Sequence, residues 1–179
     1  MTFIVRKENF LVTDSLVFNG RPNGASLEYE NKIKRNRAGT VVIVSSSNTF
    51  KGNFNSLLET ISNIIYSNML QNKEPSIDSF NEDIKEVLLL SMKQEIDISC
   101  MFCTKFKSYL LQVYLDKPLL LTYDYNELVY IGSGAPFAST QNLTNVNILE
   151  LMEKVIKNVP SCGGTINTFD LNLLKDIVL

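Results

Sequence analysis

The sequence contains no histidine, and this absence restricts the chemistry that its side chains can perform. Ser-His-Asp and Cys-His catalysis, imidazole acid–base chemistry and histidine-containing metal sites are all excluded unless a partner supplies the imidazole. If the protein is an enzyme, a carboxylate, a lysine, a thiol or a terminal amine must therefore move the protons.

Three cysteines are the other candidate reactive residues: Cys100, Cys103 and Cys162. Cys100 and Cys103 have C-x-x-C spacing, but a zinc site would need a second pair, which Cys162 alone cannot supply. Residues 96–102 alternate like a strand, so the first two thiols should point to opposite faces of a sheet. We interpret them as reduced packing residues and predict no metal and no cofactor.

The hydrophobic pattern predicts the order strands, two helices, strands, one helix, strands. Predicted strands cover residues 2–6, 10–13, 16–18, 40–44, 97–102, 108–114, 127–131 and 165–171, with turns at 19–20 and 22–24. Predicted helices cover residues 53–70, a segment that begins with a capping box at 79–82, and residues 145–158. This order favours an α+β fold, with a four-layer αββα sandwich of two antiparallel sheets as its natural closure. Five residues are predicted to be buried: Val41, Ile43, Ile98, Cys100 and Val129.

The composition is that of a globular chain, with 45% apolar and 20% charged residues in 179 positions. This length suits a single domain, residues 1–179. The net charge of −2 argues against a nucleic-acid partner that depends on a basic surface. Apolar runs such as 119–121 are far shorter than the ~20 residues that span a membrane, and the first residues lack the pattern of a signal peptide. We therefore expect a cytoplasmic protein with no membrane association.

Five short segments, in this order, match one protein family. They are Met1-Thr2-Phe3-Ile4, Val12-Thr13-Asp14-Ser15, Lys32-Ile33, Tyr130-Ile131-Gly132-Ser133-Gly134 and Cys162-Gly163-Gly164-Thr165-Ile166-Asn167. On these segments the chain resembles the proteasome β-subunit and its bacterial HslV-type relative, which are N-terminal-nucleophile (Ntn) hydrolases. It is most similar to compact prokaryotic and phage-type members, and the resemblance extends over nearly the whole chain.

The resemblance implies a threonine peptidase with a catalytic set of Thr2, Asp14, Lys32 and Ser133. After removal of Met1, Thr2 would carry both a nucleophilic hydroxyl and a base, its own α-amine, whose pKa is about 7.7–8.0. Lys32 would favour the alkoxide, Asp14 would hold Lys32, and Ser133 would hydrogen-bond near the amine. Backbone N–H groups around Ser46 and Ser47 would form the oxyanion hole, and Gly134 and Cys162 would surround the site.

The resemblance also implies a polypeptide substrate, a homo-oligomer such as a ring, and an ATP-dependent unfoldase as a partner. The alternative is a catalytically inactive assembly or scaffold subunit. Three departures from the family favour it: serines replace glycines at residues 45–47, no aspartate precedes Gly163-Gly164, and Met1 would block the amine if it were retained. A non-peptidase amide hydrolase of the same fold is a third reading.

Each candidate also has a purely structural interpretation. Thr2 is the residue after a start methionine, and Asp14 could be a turn carboxylate at a strand end. Lys32 lies in the charged stretch 28–37, and residues 132–134 could form any tight turn. The ordered set and the element pattern together favour the family fold over these interpretations.

Overall fold

The computed structural model describes residues 3–21, 24–29, 31–45, 54–80, 82, 84–86, 88, 99–114 and 117–175. Its first sheet has four antiparallel strands in the order β10-β1-β2-β11. These strands are β1 (Phe3–Lys7), β2 (Phe10–Asp14), β10 (Val129–Gly132) and β11 (Ile166–Asp170). The first strand thus lies in the middle of its sheet, between β10 and β2.

The second sheet has five antiparallel strands in the order β5-β6-β7-β8-β9. They are β5 (Ile33–Arg35), β6 (Val42–Ser45), β7 (Ser99–Cys103), β8 (Lys107–Tyr114) and β9 (Lys117–Asp124). A separate hairpin pairs β3 (Leu16–Arg21) with β4 (Gly24–Tyr29). The chain is therefore α+β with two antiparallel sheets, as predicted.

The structure differs from the local predictions at several places, and it has strands β4 and β5 where no strand was predicted. Asn19-Gly20 was expected to form a turn, but both residues lie in β3 and pair with Ser26 and Ala25. Strand β9 was not predicted, because Pro118 and the run of leucines that follows it do not alternate with polar residues. All eight residues of β9 pair with β8, and this pairing defines the strand although the residue pattern does not predict it.

The helices are α1 (Phe54–Leu70), α2 (Ala135–Ser139) and α3 (Ile148–Asn158). Glu82, residues 84–86 and Leu88 are also helical, and short 3-10 turns cover Ile77–Ser79 and Leu171–Leu173. Helix α3 begins at a polar cap, since the Asn147 side chain accepts a hydrogen bond from Leu149 N at 3.0 Å. Among the described residues, no helix is long and apolar enough to cross a membrane.

Three clusters of buried apolar side chains connect these elements. One joins the second sheet to α1 and the helical segment near Leu88, and includes Cys100 and Phe102. Another contains residues of both sheets, among them Ile4 and Cys103. The third joins the first sheet to α2 and α3.

The predicted core residues are buried where the structure describes them. Val41, Ile43, Cys100 and Val129 are all at most 4% exposed, whereas Ile98 lies outside the described residues. Cys100 and Cys103 belong to different clusters and therefore face opposite sides of β7, as the alternation predicted. All three cysteines are buried, and none of them forms a disulfide.

Candidate active site

The carboxylate of Asp14, the last residue of β2, connects three parts of the chain. It is fully buried. Its Oδ1 accepts hydrogen bonds from Phe3 N at 2.8 Å and from Lys32 Nζ at 3.2 Å, and its Oδ2 accepts one from Gly163 N at 3.0 Å. The start of β1, the residue before β5 and the loop before β11 therefore meet at one side chain.

Lys32 places a buried positive charge beside the start of β1. Its side chain is 5% exposed, and Nζ donates to Asp14 Oδ1 and, at 2.6 Å, to the carbonyl oxygen of Leu16. A buried ammonium is tolerated when it is paired and hydrogen-bonded in this way. Because Phe3 N and Lys32 Nζ bind the same oxygen, their separation cannot exceed the sum of the two distances, about 6 Å. A charge shifts the pKa of a neighbouring group over roughly this range, ~4–6 Å.

Ser133 and Cys162 form a second pair next to this one. Ser133 follows Gly132, which pairs with Phe3 across β10 and β1 and has a φ of 96°, a conformation that favours glycine. The Ser133 hydroxyl lies 3.4 Å from Cys162 Sγ. The residue after Cys162 is Gly163, whose N–H binds Asp14. The two pairs are therefore adjacent and share the loop before β11.

Burial raises the pKa of the Cys162 thiol, and the charge of Asp14 acts in the same direction. The hydrogen bond with Ser133 and the charge of Lys32 oppose this effect, but burial is the largest cause. The thiol therefore stays protonated near neutral pH. A protonated, buried thiol is a poor nucleophile, so Cys162 is suited to packing and hydrogen bonding rather than to covalent chemistry.

Gly134 lies behind the site and permits close packing. A Cβ atom at this position would lie 2.5 Å from Val155 Cγ1 and 2.7 Å from two ring carbons of Phe3. The glycine therefore allows α2 to start directly against β1 and α3. The role of Gly134 in this arrangement is therefore to leave room for the side chains of Val155 and Phe3.

Of the eight predicted site residues, the structure brings Asp14, Lys32, Ser133 and Cys162 together around the start of β1, with Gly134 behind them. Thr2, Ser46 and Ser47 lie outside the described residues. Thr2 is bonded to Phe3, the residue whose N–H binds Asp14, and Ser46 follows the end of β6 at Ser45.

Ser15 was not predicted to have a role in the site. Its side chain connects the loop before β11 to the end of β2 by hydrogen bonds. Its hydroxyl oxygen accepts hydrogen bonds from Thr165 N at 2.9 Å and from Thr165 Oγ1 at 3.1 Å. The signal available was its position directly after Asp14 at a strand end. The Leu16 carbonyl, which binds Lys32, could not be found from side-chain types because it is a backbone group.

Asn158, near the position where the family has an aspartate, is exposed and donates to the Lys154 carbonyl oxygen at 2.7 Å. This bond returns to the backbone of α3 itself, which ends at Asn158 and has Val159 as its C-cap residue. Within the described ranges, no group of three cysteine, aspartate or glutamate side chains could hold a metal ion. The chemistry offered by the described residues is therefore a fixed ammonium–carboxylate pair with a neighbouring hydroxyl and thiol.

Two antiparallel sheets with flanking helices, in this order along the chain, form a fold that is also found in two solved structures. The structure is similar to eukaryotic HslV from Trypanosoma brucei, with a TM-score of 0.57 and 16% sequence identity over 93% of this chain and 96% of that one. It is also similar to an Anbu (Gly-1) mutant from Hyphomicrobium sp. strain MC1, with a TM-score of 0.50 and 15% identity over 94% of this chain and 80% of that one. No family model matches the sequence, and no curated protein is similar to it in sequence. At these identities the similarity establishes the fold alone.

Proposed function

We propose that this chain is a threonine-type peptidase whose nucleophile is Thr2, exposed by removal of Met1. The observation that carries the proposal is the buried Asp14–Lys32 pair, whose carboxylate also holds Phe3 N. That nitrogen is the amide nitrogen bonded to the carbonyl carbon of Thr2. Through Asp14, the Lys32 ammonium is therefore fixed close to Phe3, the residue that follows the proposed nucleophile. The chain has no histidine that could take this place.

In the proposed reaction, the α-amine of Thr2 accepts the proton of the Thr2 hydroxyl as Oγ adds to the scissile carbonyl carbon. The Lys32 ammonium favours the negative oxygen and disfavours a second positive charge on the amine, so the amine remains a base near neutral pH. Backbone N–H groups of Ser46 and Ser47 stabilise the tetrahedral oxyanion. The C–N bond breaks as the amine returns the proton to the leaving nitrogen, which leaves a Thr2 ester. The same amine then takes a proton from a water molecule whose oxygen adds to the acyl carbon, the C–Oγ bond breaks, and the amine returns this proton to Oγ.

The surrounding architecture is proposed to be a single-domain, four-layer αββα sandwich. Support comes from the three apolar clusters, which lie between α1 and the second sheet, between the two sheets, and between the first sheet and α3. From the family resemblance we further propose a cytoplasmic homo-oligomer, arranged as a ring, that receives unfolded polypeptide from an ATP-dependent unfoldase.

A scaffold role for an inactive subunit is the competing proposal. Its support is that serines stand at residues 45–47 and that Asn158, near the position of the family's aspartate, is exposed and bonds to the backbone of α3. The same Asp14–Lys32 pair would then hold the first hairpin and the β11 loop in place without any catalytic purpose.

The intact mass of the purified protein is the decisive measurement, followed by hydrolysis of an unfolded polypeptide. The peptidase proposal requires loss of Met1 and turnover that Thr2→Ala abolishes. The matched control is Thr144→Ala, an exposed threonine outside the site, which should retain full activity. Retention of Met1 without turnover would establish the scaffold alternative, and turnover by Thr2→Ala would refute the nucleophile.

A further inference from the structure

A slot opens between the outer strands of the two sheets. Residues 31, 33 and 35 line one side of it and residues 166–169 of β11 line the other, and the slot encloses about 410 Å³. This volume is in the range of sites that bind small molecules or short peptide segments, about 300–1,000 Å³. We call this space the edge slot.

Both strands that border the edge slot are terminal in their sheets. Within the described part of the chain, β5 pairs only with β6, and β11 pairs only with β2. A terminal strand presents backbone N–H and C=O groups along its outer side, and these can pair with a further strand. The five-residue strand β11 is long enough to receive an extended segment, and β5 has only three residues.

The inward side of the slot carries hydrogen-bond donors without an acceptor. Asn167 and Phe169 are paired with Thr13 and Leu11 on the side of β2 that faces the second sheet. Asn167 Nδ2 is buried and has no hydrogen-bond partner. A buried amide donor without a partner costs free energy, so an acceptor from a ligand would be favourable there.

Arg35 adds a positive charge at the same place. Its guanidinium lies over the Phe169 ring, 5.2 Å from the centroid, and no ion pair to a carboxylate is found for it among the described residues. A guanidinium and an amide donor together complement a carboxylate, which accepts up to four hydrogen bonds.

We propose that the edge slot binds an extended polypeptide segment that adds as a strand to β11 and directs one acidic side chain toward Arg35 and Asn167. The edge slot borders the candidate active site, since Ile166 pairs with Asp14 and residues 31 and 33 flank Lys32. The proposed strand addition uses none of the catalytic groups and does not depend on the peptidase reaction. A second copy of the chain is a poorer occupant, because two-fold pairing of β11 with itself would bring two Arg35 guanidinium groups into the same region. A partner segment with a glutamate or aspartate has the complementary charge.

The test uses the Thr2→Ala variant, so that no hydrolysis of the probe can be mistaken for binding. The probe is the peptide acetyl-Thr-Val-Thr-Glu-Thr-Val-Thr-amide, titrated into isotope-labelled protein while backbone amide resonances are recorded. We expect saturable shifts centred on residues 166–170 and 33–35. Replacement of the central glutamate by glutamine should weaken binding by about tenfold, since a charge-assisted hydrogen bond is lost.

Matched variants distinguish the slot from general attraction. Arg35→Gln should remove the preference for glutamate over glutamine, whereas Lys34→Gln, one residue away on the other face of β5, should preserve it. Two N-methylated peptides, each lacking the N–H donors of one strand edge, should differ in affinity for the protein, because strand addition uses the donors of only one edge. Equal binding of the glutamate and glutamine peptides, shifts outside the slot, or no binding at millimolar peptide would overturn the proposal. Concentration-dependent shifts of β11 without peptide would identify a second copy as the occupant and would also overturn it.

Discussion

At the scale of single residues, Asp14 satisfies three donors that are themselves buried: Phe3 N, Gly163 N and the Lys32 ammonium. Asp14→Ala would remove the acceptor of Phe3 N and Gly163 N, and it would leave the Lys32 charge uncompensated although Nζ keeps its bond to the Leu16 carbonyl oxygen. We expect a loss of about 3–5 kcal/mol in the free energy of unfolding, the range seen when one partner of a buried ion pair is removed. Urea denaturation of both proteins measures this loss.

Asp124 is the matched control for Asp14. It also ends a strand and lies 3.8 Å from a lysine, Lys107, but its side chain is 70% exposed. Solvent screens such a pair, so Asp124→Ala should change the unfolding free energy by less than about 0.5 kcal/mol. Equal losses at the two positions would contradict the argument from burial.

A second residue-scale prediction concerns the pH dependence of peptidase activity. The rate should rise with pH as the Thr2 α-amine loses its proton, near pH ~7–8 or somewhat lower because of the Lys32 charge. Thr2→Ser should retain part of the activity and the same rising limb, because a hydroxyl and an α-amine remain on one residue. Initial rates measured between pH 5.5 and 9, the interval about this amine's pKa, test this expectation.

Cys162→Ala is the control for this pH profile. Because burial raises the pKa of the thiol, it is protonated and neutral where the enzyme would work. Its removal should therefore leave the rising limb in place and reduce the rate only slightly. A large shift of the limb in this variant would show that the titrating group is the thiol rather than the amine.

At the scale of elements, the start of α2 is held against β1 through Gly134. Gly134→Ala would place its Cβ 2.5 Å from Val155 and 2.7 Å from Phe3, and both side chains are fully buried in the third apolar cluster. Neither can move without displacing α3 or β1, so we expect destabilisation of about 1–3 kcal/mol, typical of an overpacked core. Thermal and urea unfolding measure the effect.

Ser139→Ala, at the exposed end of the same helix, is the matched control for Gly134→Ala. Its side chain is exposed, and its hydroxyl donates to the Pro136 carbonyl oxygen at 2.7 Å. It should alter stability by less than about 0.5 kcal/mol. If Gly134→Ala were as stable as this control, the packing between α2, β1 and α3 would have to be looser than the contacts indicate.

At the scale of the whole molecule, buried titratable groups make stability depend on pH. Burial raises the pKa of Cys103 and of Cys162 above the ordinary thiol value. At alkaline pH the unfolded chain therefore loses these protons before the folded protein does, and the unfolded state binds fewer protons. The contribution of these two thiols to the free energy of unfolding should be constant below pH ~8 and should fall as pH rises through the unfolded thiol range, about 8.5–9, toward the folded values.

Urea unfolding at pH 7.5 and at pH 10 measures this dependence on either side of the ordinary thiol pKa of about 8.5. The double variant Cys103→Ala, Cys162→Ala is the control, since it removes both thiols and should flatten part of the decline. Burial also raises the pKa of Tyr109, so some alkaline loss should remain in the double variant. Stability that rises between these two pH values would contradict the assignment of the thiols as buried and protonated.

The sequence alone determined the fold class, the positions of helices α1 and α3 and of most strands, and the chemistry that is unavailable to the chain. The periodicity of residues 53–70 and 145–158 predicted helices, which the structure has at Phe54–Leu70 and Ile148–Asn158. Alternation at Cys100 and Cys103 predicted opposite faces. These signals are local and depend on side chains that contact a core. The missing histidine and the family-like order of Asp14, Lys32 and Ser133 pointed to the site before any geometry was known.

Only the tertiary structure decided how the candidate site is connected and where the sheets end. The bond from Lys32 to the Leu16 carbonyl, the role of Ser15, and the unpaired outer sides of β5 and β11 involve backbone groups or partners far apart in the chain. Strand β9 shows the same limit, since pairing with β8 defines it and its own pattern does not. Backbone donors and acceptors are the same in every residue, so sequence cannot say which of them meet; long-range packing decides this.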